Sequence, residues 1–344
     1  MTLILAIETS CDETSAAVIE DGWIARSNVV ATQAEMHAKY GGVFPEIASR
    51  MHVETIAPVI REALERASVA WGDLTAVAVT YGPGLPGSLL VGLNTAKGIA
   101  LGRGLPLIGV NHLEGHIYSH WLKLNDEAVI GSGLGFPVLI LIVSGGHTEL
   151  ILMRDHLKYE KLGATLDDAS GEAFDKVARL LGLGYPGGPA IQRVAASGDP
   201  TRFEFALPKV DHEFAFSFSG IKTAVLRIVQ GYCGVNGQGQ LPARLPVADL
   251  AASFQRAVAH QLVEKTIEAA RRYGATEILL SGGVSANQLL RETMQRRAGV
   301  PVRWPALWLC TDNAAMIGAA AHYRYLAGQR DGWDLDIAPN LKLA

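Results

Sequence analysis

"LILAIETSCDETSAAVIEDG", residues 3–22, is an apolar run, a polar turn and a second apolar run ending at Asp-Gly. That order reads as two strands around a tight polar loop. "PVLILIVSGGHTELILMRD", residues 137–155, repeats it, with Ser144-Gly145-Gly146-His147-Thr148 at the turn. Two copies about 130 residues apart predict a duplicated lobe, the repeat lying in pattern more than in identity.

Helical and mixed segments follow each copy. "EIASRMHVETIAPVIREALERA" (46–67) carries apolar residues at helical spacing, and "LTAVAVTYGPG" (74–84) is a buried strand entering a Gly-Pro turn. "SLLVGLNTAKGIALG" (88–102) reads as a helix, "PLIGVNH" (106–112) as a strand. In the second half, "LAASFQRAVAHQLVEKTIEAARRYG" (250–274) is the longest helix and "EILLSGGVSANQLLRETMQRR" (277–297) is strand, glycine turn and helix. Alternation of strand and helix gives an α/β class with a mixed or parallel sheet in each lobe. "GYCGVNGQGQLPARLP" (231–246) reads as a surface loop, and the tail after Gly328 as polar and irregular.

The chain has 344 residues, 49% of them hydrophobic, enough for two lobes. A formal charge of −4 argues against a broadly basic nucleic-acid binder. "LRETMQRRAG" (290–299), with Arg271 and Arg272, is the best local basic face, and equally the solvated side of a helix. Cys11, Cys233 and Cys310 are too few and too scattered for a disulfide framework, so a reducing, cytoplasmic setting is expected. The opening apolar run is too short for a signal peptide, no basic leader precedes it, and no membrane span is expected.

Two turns, "VSGGHT" (143–148) and "LSGGVSAN" (280–287), end a buried strand in Ser-Gly-Gly and leave backbone N–H groups uncovered. Such groups suit an anion. With "YPGGP" (185–189) they favour phosphate or nucleotide binding, although the P-loop and Rossmann patterns are absent. Asp175 is placed inside a helix, either as an acceptor for a ligand or as a surface acid paired with a lysine. Asn287 fits a ribose or base reader, and fits a helix cap equally well.

His112 and His116 in "NHLEGH" (111–116) fall on one face of a helix, close enough for one metal ion. Zincins place a general-base glutamate directly after the first histidine; here that position is Leu113, and Glu114 turns elsewhere. Asp312 in "LCTDNAAM" (309–316) is a candidate third ligand, or the cap of the helix it precedes. Two imidazoles and a carboxylate suit non-haem iron or catalytic zinc.

"IETSCDET" (7–14), "GGVFPEIASR" (41–50), "GPGLPGSLLVG" (82–92), "NHLEGH", "VSGGHTEL" (143–150), "GEAFDKVARLLGLGYPGGP" (171–189), "FSFSGIKT" (216–223), "SGGVSAN" (281–287) and "CTDNAAM" (310–316) together resemble one family. It is the tRNA N6-adenosine threonylcarbamoyltransferase (TsaD) family, once described as O-sialoglycoprotein endopeptidases, and the likeness covers nearly the whole chain. The resemblance implies the actin-like, sugar-kinase and heat-shock-chaperone (ASKHA) fold, two duplicated lobes about a central cleft. Lobes at 1–134 and 135–311 are expected, with a helix at about 312–327 packing on the first.

The implied activity is transfer of threonylcarbamoyl from threonylcarbamoyl-AMP to N6 of adenosine 37, forming t6A, in tRNAs reading codons that begin with A. By resemblance, His112, His116 and Asp312 hold a divalent metal, iron as the usual assignment and zinc as the alternative. Ile142, Val143, Ser144, Gly145, Gly146, Asp175, Gly188 and Asn287 would bind the adenylate. Archaeal relatives carry a metal-ligating Tyr where Ile142 stands, and Ile142 cannot ligate, so water, substrate or another side chain must complete the sphere. Asp12 and Glu13 are candidate proton acceptors. The implied partners are the tRNA anticodon loop, a TsaB-like paralogue, a TsaE-like small ATPase and an upstream TsaC-like synthase. The competing readings are an ATPase or kinase of the same architecture and a non-catalytic partner of such a complex. Ligation by two histidines speaks against the first and the complete motif set against the second.

Overall fold

The computed structural model describes residues 1–40, 42–124, 135–206, 210, 212–233 and 242–344. The chain divides into two compact units: Met1–Leu134 with Asp155–Tyr159 and Pro305–Ala344, and Gly135–Arg154 with Glu160–Trp304.

The strands are β1 (Leu3–Glu8), β2 (Glu13–Glu20), β3 (Ile24–Thr32), β4 (Ala76–Gly82), β5 (Leu107–Asn111), β6 (Lys123–Leu124), β7 (Val138–Val143), β8 (Thr148–Asp155), β9 (Lys158–Ala164), β10 (Glu277–Ser281) and β11 (Val302–Arg303). The helices are α1 (Ala34–Ala38), α2 (Pro45–Ala67), α3 (Pro86–Arg103), α4 (His112–Tyr118), α5 (Ser170–Leu180) and α6 (Gly187–Ala195). They continue with α7 (Ser219–Cys233), α8 (Val247–Tyr273), α9 (Gln288–Arg297), α10 (Leu307–Cys310) and α11 (Ala314–Leu326).

The first sheet runs β5-β4-β1-β2-β3-β6 and the second β11-β10-β7-β8-β9. In each, a strand pairs antiparallel with its successor and parallel with a later strand: β1 with β2 and β4, β7 with β8 and β10. The predicted repeat is therefore a repeat of sheet topology. β1 and β7 are buried along their whole length, the central position that a continuous apolar run demands.

Local signals set the helix ends. α2 and α3 begin with proline at their first turn, where a missing N–H costs nothing. α3 and α8 stop at Gly104 and Gly274, both left-handed. Along α2, Ala48, His52, Ile56, Val59, Ile60 and Ala63 are buried at helical spacing, and the core beneath includes Leu5, Ile7, Val18, Val79 and Leu93. Phe174, Phe216, Phe218, Phe254 and Leu262 fill the second core with Leu139 and Leu141.

The predicted loop at 231–246 needs correction at its start: Gly231–Cys233 complete α7, whereas 234–241 lie outside the described residues. The tail after Gly328 is irregular but tied down. Asp331 Oδ2 accepts from Gly109 N at 2.7 Å, and Ala338 N donates to Tyr81 O at 2.8 Å. A Cβ on Gly82 would collide with the Ala338 carbonyl, so the tail passes where only glycine leaves room. Among the described residues, no helix is long and apolar enough to cross a membrane.

Candidate active site

β5 delivers the chain straight into α4. The Asn111 side chain caps that helix by accepting from Leu113 N at 2.8 Å, and its amide donates to Lys342 O at 3.2 Å. The cap and the C-terminal tail therefore fix the first residue of α4, His112. Gly115 lets α11 approach; a Cβ there would press on Ile317 and Met316. Glu114, wholly buried, accepts from Arg324 Nε at 2.6 Å and from the Tyr159 hydroxyl at 2.8 Å. It is a structural anchor of α4, which disposes of a peptidase role for it.

Asp312 does not cap α11. Asn313 does, accepting from Met316 N at 3.1 Å, and this frees the Asp312 carboxylate to face the imidazoles. Its Oδ1 lies 3.4 Å from His112 Nε2 and 3.2 Å from His116 Nε2. The candidate ligand atoms of all three residues fall within 4.8 Å of one another. Ligands at about 2.1 Å in tetrahedral array stand roughly 3.4 Å apart, so the set fits a cation. His116 supplies the firmest sign: it is 1% exposed, yet neither ring nitrogen has a hydrogen-bond partner among the described residues. Buried polar atoms are rarely left so without a ligand to serve.

His112 is pinned from behind. Glu8 Oε2 lies 3.0 Å from its Nδ1, and Ser10 Oγ 3.1 Å. Burial disfavours a charged imidazole, but Asp312 and then Glu8 outweigh it and raise His112 to about 9. Burial also opposes the Glu8 charge, yet the imidazole beside it holds that carboxyl below its ordinary range.

The turn after β1 holds Asp12 and Glu13. Burial, then Asp312 and Asp12, push the Glu13 carboxyl up to about 9, and Glu13 shares a side-chain hydrogen bond with Asp12. Burial likewise keeps the Cys11 thiol well above its usual range, so it is no thiolate nucleophile. His52 on α2 holds the turn in place: Nε2 reaches Cys11 O at 3.0 Å and Nδ1 reaches Thr14 Oγ1 at 2.7 Å.

The second unit carries the glycine turns. Between β7 and β8, Ser144 N donates to His147 O at 2.8 Å and His147 N to Ser144 Oγ at 3.1 Å, while Gly145 and Gly146 stay exposed. A side chain at Gly145, Gly146 or Gly188 would meet nothing within 4 Å, so open space lies beside the backbone there. Ile142 and Val143 are buried strand residues. Among the described residues Asp175 pairs with no lysine; its Oδ1 accepts from Gly187 N at 2.7 Å, and burial raises its carboxyl. Lys176 bonds Asp168 and Glu172 instead. Asn287 does cap α9, accepting from Leu290 N at 3.0 Å, while its amide donates to Gln255 at 2.9 Å.

Three features escaped sequence reasoning: Glu8, the Glu114–Arg324 pair and the Asp167 cap of α7. Asp167 accepts from Phe218 N at 2.8 Å and from Ser219 Oγ at 2.6 Å, which gives "FSFSGIKT" a structural role. A glutamate closing the apolar run "LILAIE" was the available signal for the first, since an acid in a buried strand requires a partner.

A family model described as TsaD, tRNA N6-adenosine threonylcarbamoyltransferase, matches residues 25–319. Proteins of that name are similar end to end. The one from Symbiobacterium thermophilum is 53% identical over 99% of this chain and 97% of its own length. The one from Thermomicrobium roseum is 52% identical over 99% and 97%. Among solved structures, HypF of T. kodakarensis aligns with a TM-score of 0.63 at 16% identity, over 95% of this chain and 48% of that one. Component A of the Acidaminococcus fermentans (R)-2-hydroxyglutaryl-CoA dehydratase gives 0.54 at 16%, over 95% and 100%. These two likenesses concern fold alone, and the fold is the two-lobe ASKHA class. With half its residues shared along the full length of such relatives, the chain belongs to the tRNA N6-adenosine threonylcarbamoyltransferase family.

Proposed function

We infer that this chain is an acyltransferase that moves threonylcarbamoyl from threonylcarbamoyl-AMP to N6 of adenosine 37 of tRNA, forming t6A. The end-to-end identity with proteins of that name carries the reading. For the metal, the support is buried His116, whose ring nitrogens have no hydrogen-bond partner among the described residues while Asp312 Oδ1 stands 3.2 Å from Nε2.

The exocyclic amine of adenosine is a weak nucleophile because its lone pair is drawn into the purine. The mixed anhydride is already activated, and AMP is its leaving group. What the protein must add is placement and charge stabilisation. His112, His116 and Asp312 would hold the divalent ion, with iron favoured by two imidazoles and one carboxylate and zinc the alternative. When bound, that ion supplies Lewis-acid polarisation of a carbonyl or phosphoryl oxygen. The uncovered N–H groups at Gly145 and Gly146 would hold the adenylate anion with Val143 and Ser144, while Asp175, Gly188 and Asn287 orient the rest. Asp12 and Glu13, which share a side-chain hydrogen bond, are the candidate proton acceptors, burial raising the Glu13 carboxyl.

The tRNA base must be splayed from the anticodon loop to be reached. Arg272 is engaged by Glu213 and Glu268, and Arg297 by Glu264, so part of the basic cluster is paired with acids of the protein itself. Binding of tRNA by the isolated chain is then weak and salt-sensitive. A TsaB-like paralogue and a TsaE-like ATPase would complete the machinery, and a TsaC-like synthase would make the adenylate. A cytoplasmic site of action follows from the substrate. The test is mass spectrometry of tRNA nucleosides after incubation with the adenylate and these partners. Appearance of t6A supports the reading; unmodified adenosine 37 under every combination contradicts it.

A further inference from the structure

Glu8 is a carboxylate in a place that penalises one: fully buried, at the end of a strand whose other residues are Leu, Ile and Ala. Three polar groups converge on it. Ser10 N–H binds one oxygen, Thr80 Oγ1 donates to the other at 2.6 Å, and His112 Nδ1 lies 3.0 Å from that same oxygen. The sheet builds this arrangement, because parallel pairing sets Ile7 beside Val79 and so brings Thr80 alongside Glu8.

We propose that Glu8 is the positioning residue of the candidate metal centre, holding the His112 ring by its Nδ1 so that Nε2 is aimed toward Asp312 and His116. The proposal rests on reading those three residues as metal ligands. Ser10 N–H and the Thr80 hydroxyl both donate to Glu8, which fixes where its carboxylate stands against His112 Nδ1. Histidine ligands are set in this way when their second nitrogen donates to an acid. His116 gives the contrast within the same site: its Nδ1 has no hydrogen-bond partner among the described residues, so nothing there selects its tautomer. His112 is held in orientation by the protein, and His116 is a side chain that the ion must order.

Cobalt(II) titration of the metal-free full-length chain tests this, read by visible absorption and by competition with a chelator. Glu8→Gln keeps the shape but removes the charge, and is expected to weaken cobalt binding about 10- to 100-fold and to alter the ligand-field bands. Thr80→Val removes only the hydroxyl that holds Glu8; a smaller loss, about three- to tenfold, is expected, and this variant decides the matter if Glu8→Gln does not fold. Wild-type binding that needs His116 but is unchanged in both affinity and spectrum in the variants overturns this inference alone. Binding that His116→Ala leaves untouched, or no binding by the wild type, overturns the metal reading and this inference with it.

Discussion

The turn at residues 9–12 and the turn at residues 144–147 are the same piece of topology with opposite chemistry. Each joins a fully buried six-residue strand to an antiparallel strand of eight. The first is tightly packed and acidic: Thr9, Ser10 and Asp12 are buried, Glu8 lies beneath, and His52 clamps the backbone at Cys11. The second is barer, with Gly145 and Gly146 exposed and two hydrogen bonds between Ser144 and His147 closing it. A duplicated scaffold specifies where a turn goes and leaves open what it carries. Buried carboxylates need cationic or donor partners, so the first turn became tied to imidazoles; uncovered N–H groups need none from the protein and suit an anion.

That contrast is most easily broken on the acidic side. Asp312→Ala should abolish metal retention and slow transfer by about 100- to 1,000-fold, while adenylate binding persists; elemental analysis and single-turnover kinetics check both. Equal loss of adenylate binding would mean that the two turns do not divide the work. Next in size is Glu114→Ala, which leaves Arg324 without its buried acid and should cost about 3–5 kcal/mol in denaturant unfolding. On the bare side, Asp175→Ala removes the acceptor of Gly187 N and should raise the adenylate dissociation constant about tenfold at unchanged metal content.

The smallest effect concerns pH. His52, whose imidazole burial holds below its usual range, binds fewer protons folded than unfolded. Its contribution is intact above about pH 6.5 and is lost as pH falls through the window below that. Denaturant midpoints should therefore drop between neutral and mildly acidic pH, and His52→Gln should flatten that slope. An unchanged slope would remove His52 as the clamp.

Much of this was legible in advance, for identifiable reasons. "LILAIETSCDETSAAVIEDG" and its echo announce their strands through apolar runs, and the two histidines share a helix face by spacing alone. Asp312 was ambiguous because adjacent Asp312 and Asn313 are both good caps, and only the fold shows that Asn313 takes that role. The sequence shows the tail after Gly328 as irregular but not that it is tied down, because backbone bonds such as Ala338 N to Tyr81 O leave no side-chain periodicity. Glu8 was passed over because one acid does not disturb an apolar run, and its partner stands 104 residues away.

The central claim is that His112, His116 and Asp312 hold a divalent ion that transfer requires. Its most direct test is single-turnover formation of t6A on tRNA from purified threonylcarbamoyl-AMP, comparing metal-stripped chain with the same chain reloaded with iron(II) under anaerobic conditions. The account predicts that stripping slows transfer by at least about 100-fold and that reloading restores it in the wild type but not in Asp312→Ala. Full-speed transfer by the stripped wild type would contradict it.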